Sequence, residues 1–147
     1  MASAGIRHFF TVDVEEYFQV VALEPYAPRE RWESYPRRAA VATLQLLELL
    51  ARHGSLGTFF TVGWLAEREP ALMKAIVAAG HEVALHGDRH RAHIWRTPRD
   101  VVYDLRRAYD TIAEVAGIEP RWFRPPHGRL RACMIEEAES GGQILML

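Results

Sequence analysis

Two histidines at the end of a short apolar run are the residues of this chain best suited to chemistry. His86 and His90 flank Gly87 and follow Glu82–Leu85, a run that predicts a buried strand. Catalytic zinc sites often use two imidazoles and one carboxylate and leave a fourth position for water. The pair therefore predicts a divalent metal site, although two exposed histidines in a glycine-containing loop would have the same spacing.

A carboxylate for such a site is available after the first predicted strand, residues 9–14. Asp13, Glu15 and Glu16 follow one another at its carboxyl end. Because side chains alternate along a strand, Asp13 and Glu15 would point to the same side. One could bind the metal while the other acts as a base for the metal-bound water. The alternative is that these acids are solvated turn residues.

A third group of interest follows the predicted strand 122–124. Arg124 precedes Pro125 and Pro126, which restrict the backbone and remove two N–H donors. A guanidinium offers a planar fork that suits a carboxylate. We therefore expect Arg124 to hold one of the acids, whereas a plain surface charge is the other interpretation.

Alternating strands and helices position these residues. Strands are predicted over 9–14, 57–62, 82–85, 122–124 and 144–147, and helices over 37–53, 65–79, 98–116 and 130–140. The proline-containing residues 25–36 are predicted to be irregular. The alternation predicts an α/β fold with a parallel sheet, whose sites lie at the carboxyl ends of strands. With about five βα units, the sheet is either open or part of a (β/α) barrel, since a full barrel takes ~250 residues.

Composition narrows the possible partners. The 147 residues predict a single domain over 1–147, and a net charge of -1 gives no reason to expect nucleic acid as a partner. Cys133 is the sole cysteine, so a metal would be held by histidine and carboxylate. Neither a signal peptide nor a membrane span is visible, and the expected location is the cytoplasm. Trp64 and Trp95 are expected to be packing residues, and Tyr17 and Phe18 stay undecided.

Four segments in order carry a resemblance to a known family. F-T-V-D-V-E-E, T-F-F-T-V-G-W, H-E-V-A-L-H-G-D-R-H and F-R-P-P-H-G resemble the motifs of the polysaccharide deacetylases, also called carbohydrate esterase family 4 or the NodB-homology domain. D-V-E-E-Y-F-Q-V and W-L-A-E-R-E-P most resemble the bacterial subgroup associated with exosortase and exopolysaccharide loci. The resemblance implies a distorted (β/α) barrel, a divalent metal that is usually zinc, and hydrolysis of N-acetyl groups from amino-sugar polysaccharides.

The resemblance also implies roles for individual residues. His86 and His90 match the metal-binding histidines, and Asp13 matches the catalytic base. Glu15 takes the place of the metal-binding carboxylate, although the family usually has two adjacent aspartates where this chain has D-V-E. The division of roles between Asp13 and Glu15 therefore stays open.

Two further residues match the family's F-R-P-P-H-G segment. Arg124 corresponds to the arginine that orients the base. His127 stands where the family usually has an aromatic residue whose backbone N–H helps to bind the oxyanion. A backbone role is compatible with this change of side chain.

The family's later motifs, including a Leu-x-His that supplies the general acid, would follow residues 144–147. We therefore expect an incomplete barrel with open sheet edges, which predicts self-association, marginal stability and weak turnover. Two alternatives to a metal-dependent deacetylase are a metal-independent hydrolase of a small amide and a non-catalytic remnant that binds glycan or metal.

Overall fold

A single parallel sheet organises the chain. The computed structural model describes residues 8–91 and 96–147. Its five strands are β1 (Thr11–Val14), β2 (Thr58–Thr61), β3 (Glu82–Leu85), β4 (Trp122–Phe123) and β5 (Ile144–Leu145). All neighbours are parallel and their order in the sheet is their order in the chain. The predicted α/β fold is confirmed, and β1 and β5 form the two edges.

Within the described residues, five α-helices connect and cover the strands. They are α1 (Ala39–Arg52), α2 (Gly63–Arg68), α3 (Pro70–Ala78), α4 (Pro98–Ala116) and α5 (Ala132–Ser140). The prediction of one helix over 65–79 is wrong, because Glu69 adopts a non-helical backbone (φ -126°, ψ 55°) and Pro70 begins a new helix. Proline disfavours the helical region for the residue before it and has no N–H to donate. Within the described ranges, no helix is both long and apolar enough to cross a membrane.

Helix α4 has the ends that the sequence predicts. The Thr97 hydroxyl accepts a hydrogen bond from the Asp100 N–H, Pro98 occupies the first turn, and Gly117 closes the helix at φ 67°. Glycine adopts this left-handed conformation without a steric penalty. The buried face of α4 includes Val101, Leu105, Ala108 and Ile112. Through this face, α4 contacts β3 and the helices α2, α3 and α5.

An aromatic cluster fixes the segment between β1 and α1. This segment contains three short 3-10 helices, Tyr17–Gln19, Val21–Leu23 and Arg29–Ser34. The last of them lies within residues 25–36, where irregular structure is predicted and no α-helix forms. Phe18 is buried, and its ring centroid lies 5.7 Å from Trp32 and 5.8 Å from Trp64. Trp64 is therefore a packing residue, as predicted, and Phe18 also belongs to the core. Trp95 lies outside the described residues, and the partly exposed Tyr17 ring lies 5.1 Å from the Arg38 guanidinium.

Glu16 ties the end of β1 to the start of α1. Its carboxylate is completely buried and accepts hydrogen bonds from the backbone N–H of Arg38 (2.9 and 3.0 Å) and Ala39 (3.2 Å). The first N–H groups of a helix have no partner within the helix and carry partial positive charge. Glu16 is therefore committed to the helix, which leaves Asp13 and Glu15 for the site.

We expect Glu16→Ala to lower the free energy of unfolding by about 2–4 kcal/mol, because several buried charge-assisted hydrogen bonds are lost. Urea unfolding followed by circular dichroism measures the change. Glu48→Ala, at an exposed position of the same helix, is the matched control and should change stability by less than about 0.5 kcal/mol. Equal unfolding midpoints for the two variants would contradict the role given to Glu16.

Candidate functional site

The loop after β3, residues 86–90, is held tightly by the first turn of α2. The Gly63 N–H donates to the Gly87 carbonyl and the Trp64 N–H donates to the Asp88 carbonyl, both at 2.9 Å. Gly87 has φ 76°, which permits the sharp turn at the strand end. His86 and His90 are consequently buried, at 2% and 4% exposure.

Backbone carbonyls fix the orientation of both imidazole rings. Nδ1–H of His86 donates to the Arg124 carbonyl at 2.9 Å, and Nδ1–H of His90 donates to the Gln19 carbonyl at 3.1 Å. A carbonyl can only accept, so each Nδ1 carries the hydrogen and each Nε2 keeps a free lone pair. Burial lowers the pKa of His86 although the charge of Asp13 opposes this, and the ring is therefore neutral at pH 7.

Glu15 supplies a carboxylate to the same place. Its Oε2 is buried without a hydrogen bond, although it lies 2.9 Å from Nδ1 of His90. Glu15, His86 and His90 each present a ligand atom, and these atoms lie within 4.8 Å of one another. A buried carboxylate oxygen without a hydrogen bond is costly unless a cation compensates it. The two imidazoles and the carboxylate therefore fit a divalent metal.

Asp13 lies beside this cluster and is held by Arg124. Its Oδ1 accepts from Nη1 of Arg124 at 2.6 Å, while its Oδ2 lies 3.8 Å from Nε2 of His86. Nη2 of Arg124 donates to the Thr11 hydroxyl at 2.8 Å, and the guanidinium lies 4.1 Å from the centroid of Phe60. In a flat sheet, β1 and β4 would be about 14 Å apart. Arg124, which follows β4 directly, thus reaches across the sheet to two residues of β1, and a curved sheet would shorten this span.

His127 completes the arrangement from the segment after β4. Its Nε2–H donates to the His90 carbonyl at 3.3 Å, and the two ring centroids are 4.2 Å apart. Burial, together with the neighbouring His90, lowers the pKa of His127. Its backbone is left-handed (φ 60°), a strained conformation that costs on the order of 1 kcal/mol and is frequent at functional sites.

One cavity of about 330 Å³ connects all of these groups. The structure brings all six residues singled out in the sequence to its wall: Asp13, Glu15, His86, His90, Arg124 and His127. They come from the carboxyl ends of β1, β3 and β4, which is the edge of the sheet where the alternation of elements predicts a site.

A sequence comparison decides the family. Residues 34–143 match the sequence profile of the family described as Polysaccharide deacetylase, which is well over half of the chain. The chain belongs to the polysaccharide deacetylase family. The resemblance seen in its four motifs is thereby confirmed.

Relatives in this family include named deacetylases. The chain is 36% identical over 91 residues to a chitooligosaccharide deacetylase of Sinorhizobium fredii, covering 60% of this chain and 41% of that protein. It is 31% identical over 88 residues to a peptidoglycan-N-acetylglucosamine deacetylase of Bacillus cereus, covering 60% of this chain and 32% of that protein. The chain thus spans less than half of the length of either relative.

A solved structure of the family has the same fold. The family 4 carbohydrate esterase of Streptomyces lividans, determined in complex with acetate, superposes with a TM-score of 0.73 at 24% sequence identity. The match covers 95% of this chain and 60% of that one. The five-stranded parallel sheet is therefore of the polysaccharide deacetylase type.

Three further polar residues of this polysaccharide deacetylase chain surround the site and were missed in the sequence. The Gln19 carbonyl orients His90, as described above. Asp88 and Asp104 are buried carboxylates, and the Asp88 N–H donates to Oδ2 of Asp104 at 2.9 Å. Burial and the neighbouring Asp104 raise the pKa of Asp88. A signal for Asp104 was present, because it is an acid on the otherwise apolar face of α4.

Proposed function

We propose that this chain carries the active site of a metal-dependent hydrolase that removes N-acetyl groups from an amino-sugar polysaccharide. The observation that carries the proposal is the convergence of Glu15, His86 and His90 beside an Asp13 held by Arg124. The names of the relatives support the substrate class, since one refers to the N-acetylglucosamine of peptidoglycan and the other to chitooligosaccharides.

Glu15, His86 and His90 would hold the metal, and this donor set of two imidazoles and one carboxylate suits Zn²⁺. When bound, such an ion lowers the pKa of a coordinated water and polarises a carbonyl oxygen. The chain's own contribution is orientation. The Arg124 and Gln19 carbonyls fix the orientation of the two imidazole rings, and burial keeps His86 neutral and free to bind.

Asp13 is the proposed general base. Arg124 binds Oδ1 at 2.6 Å and thereby directs Oδ2 toward the metal-binding cluster, 3.8 Å from His86 Nε2. A carboxylate fixed in this way can accept a proton from the attacking water, a role that typically accelerates reactions by about 10²–10⁴-fold. The acetyl C–N bond then breaks to give acetate and a free amine. Protonated Asp13 and the His127 ring are the groups in the cavity that could return a proton to the amine.

The backbone N–H of His127 is the proposed donor to the oxyanion. His127 lines the same cavity and its left-handed backbone sets the direction of its peptide group. One oxyanion donor is worth about 3 kcal/mol of transition-state stabilisation. Because the donor is the backbone, this role does not need the aromatic side chain that the family usually has at the position.

The test is acetate release from chito-oligosaccharides and from peptidoglycan glycan strands. We expect Zn²⁺-loaded protein to release acetate, chelation with EDTA to abolish the release, and added Zn²⁺ to restore it. The same rate after chelation would contradict the metal dependence. An absence of acetate from both substrates with metal-loaded protein would contradict the proposed deacetylation.

A further inference from the structure

We propose that Asp104 of α4 is a positioning residue for the metal-binding loop, residues 86–90. The inference rests on the proposed metal centre, but it concerns a residue that does not line the cavity. Asp104 restrains the backbone of the loop that carries His86 and His90. It thereby helps to keep the two imidazole rings close together.

The contact that carries the inference joins α4 to the middle of the loop. Oδ2 of Asp104 accepts the Asp88 N–H at 2.9 Å, and both residues are more than nine-tenths buried. Asp88 lies midway between His86 and His90. A hydrogen bond to its peptide group therefore restrains the direction of both ligands at once.

The carboxylate also packs closely against the loop. A Cβ placed on Gly87 would lie 3.4 Å from Oδ2 of Asp104 and 3.1 Å from the Pro126 side chain. On the other side, α2 donates N–H groups to the carbonyls of Gly87 and Asp88. The loop backbone is thus held through its carbonyls by α2 and through an N–H by α4, which leaves it little freedom.

The charge at this position needs an explanation. A carboxylate buried in the apolar face of α4 costs desolvation free energy, and an apolar residue would often stabilise the fold equally well or better. Arg107, one turn further along α4, pairs instead with the neighbouring carboxylate, with its Nε 3.4 Å from Oδ2 of Asp88. An apolar residue could not accept the hydrogen bond from the Asp88 N–H, whereas the Asp104 carboxylate does.

The consequence is a defined effect on metal affinity. Partners that orient metal ligands typically change metal affinity about 10–100-fold when they are replaced. We expect Asp104→Leu to raise the dissociation constant for Zn²⁺ by about this factor. Asp104→Asn keeps an oxygen acceptor at the same place and should stay within roughly threefold of the unchanged chain. Asp104→Glu keeps the charge but displaces the acceptor, and it should bind Zn²⁺ more weakly than Asp104→Asn.

The experiment measures Zn²⁺ affinity by competition with a chromophoric chelator, at a temperature where circular dichroism shows each variant to be folded. The visible spectrum of the Co²⁺-loaded protein reports the ligand geometry independently. Ile112→Ala, fully buried on the same helix two turns beyond Asp104, is the matched control. It should lower the melting temperature and leave the Zn²⁺ dissociation constant and the Co²⁺ spectrum unchanged.

The outcomes separate this inference from the proposed function. Zn²⁺ affinity in Asp104→Leu equal to that of Ile112→Ala would overturn the inference, as would Asp104→Glu binding more tightly than Asp104→Asn. The second comparison applies even if Asp104→Leu does not fold. If the variants bind Zn²⁺ in the expected order of affinity but the unchanged chain releases no acetate, the proposed deacetylase activity is contradicted and the inference about Asp104 is supported. A chain that binds no Zn²⁺ would overturn both.

Discussion

His90→Ala and His86→Ala are each expected to weaken Zn²⁺ binding by at least about 100-fold, because each imidazole is one of the three proposed protein ligands. Zinc content after dialysis, measured by elemental analysis, and calorimetric titration give the result. His53→Ala is the control, since His53 is exposed at the end of α1 and should retain full binding. If both site variants retained the zinc content of the unchanged chain, the zinc would bind elsewhere in the protein.

The two variants differ in what else they disturb. His86 donates to the backbone carbonyl of Arg124, the residue that holds Asp13. Replacing His86 therefore also removes a support of the proposed base. His90 instead contacts the Gln19 carbonyl and Glu15. Glu15→Ala should weaken metal binding as His90→Ala does, which tests the third proposed ligand separately.

Local signals in the sequence were sufficient to predict most of the fold. Helix α4 begins and ends where the capping rules predict, with Thr97 and Pro98 at its start and Gly117 at its end. The alternation of strands and helices predicted the parallel sheet, and hence the edge at which the site lies. The break between α2 and α3 was missed because Leu65, Leu72 and Ile76 keep a helical spacing across it, although the residues between them at the break, 67–69, are charged. Pro70 marked that break, since proline rarely continues a helix from the preceding turn.

The site could be predicted only in part, because some of its contacts join distant segments. The alternation of a strand indicated that Asp13 and Glu15 share a side, and both line the cavity. The sequence could not assign Glu16, whose partners Arg38 and Ala39 are more than twenty residues away. The role of a buried acid depends on which N–H groups the tertiary fold brings to it. The local pattern of apolar and polar residues does not show which distant N–H groups will contact a given acid.

Asp13→Asn is expected to reduce deacetylation by about 10²–10⁴-fold while Zn²⁺ binding stays within a few-fold of the unchanged chain. The amide oxygen of asparagine can still accept the hydrogen bond from Arg124, so the variant should preserve the arrangement of β1 and β4. An amide cannot take a proton from water at neutral pH, and this is the property being removed. Acetate release and zinc content must be measured on the same preparation.

The same variant decides between the two acids at the end of β1. The oxygen that lies with the histidine nitrogens belongs to Glu15, whereas Asp13 is bound to Arg124. Glu15→Gln should therefore lose metal and activity together, and Asp13→Asn should lose activity alone. Asp110→Asn, an exposed acid on α4, is the control and should change neither. If Asp13→Asn instead lost its zinc while Glu15→Gln kept it, Asp13 would be the ligand and Glu15 the base. The metal would then lie closer to Arg124, where the positive charge of the guanidinium would oppose its binding.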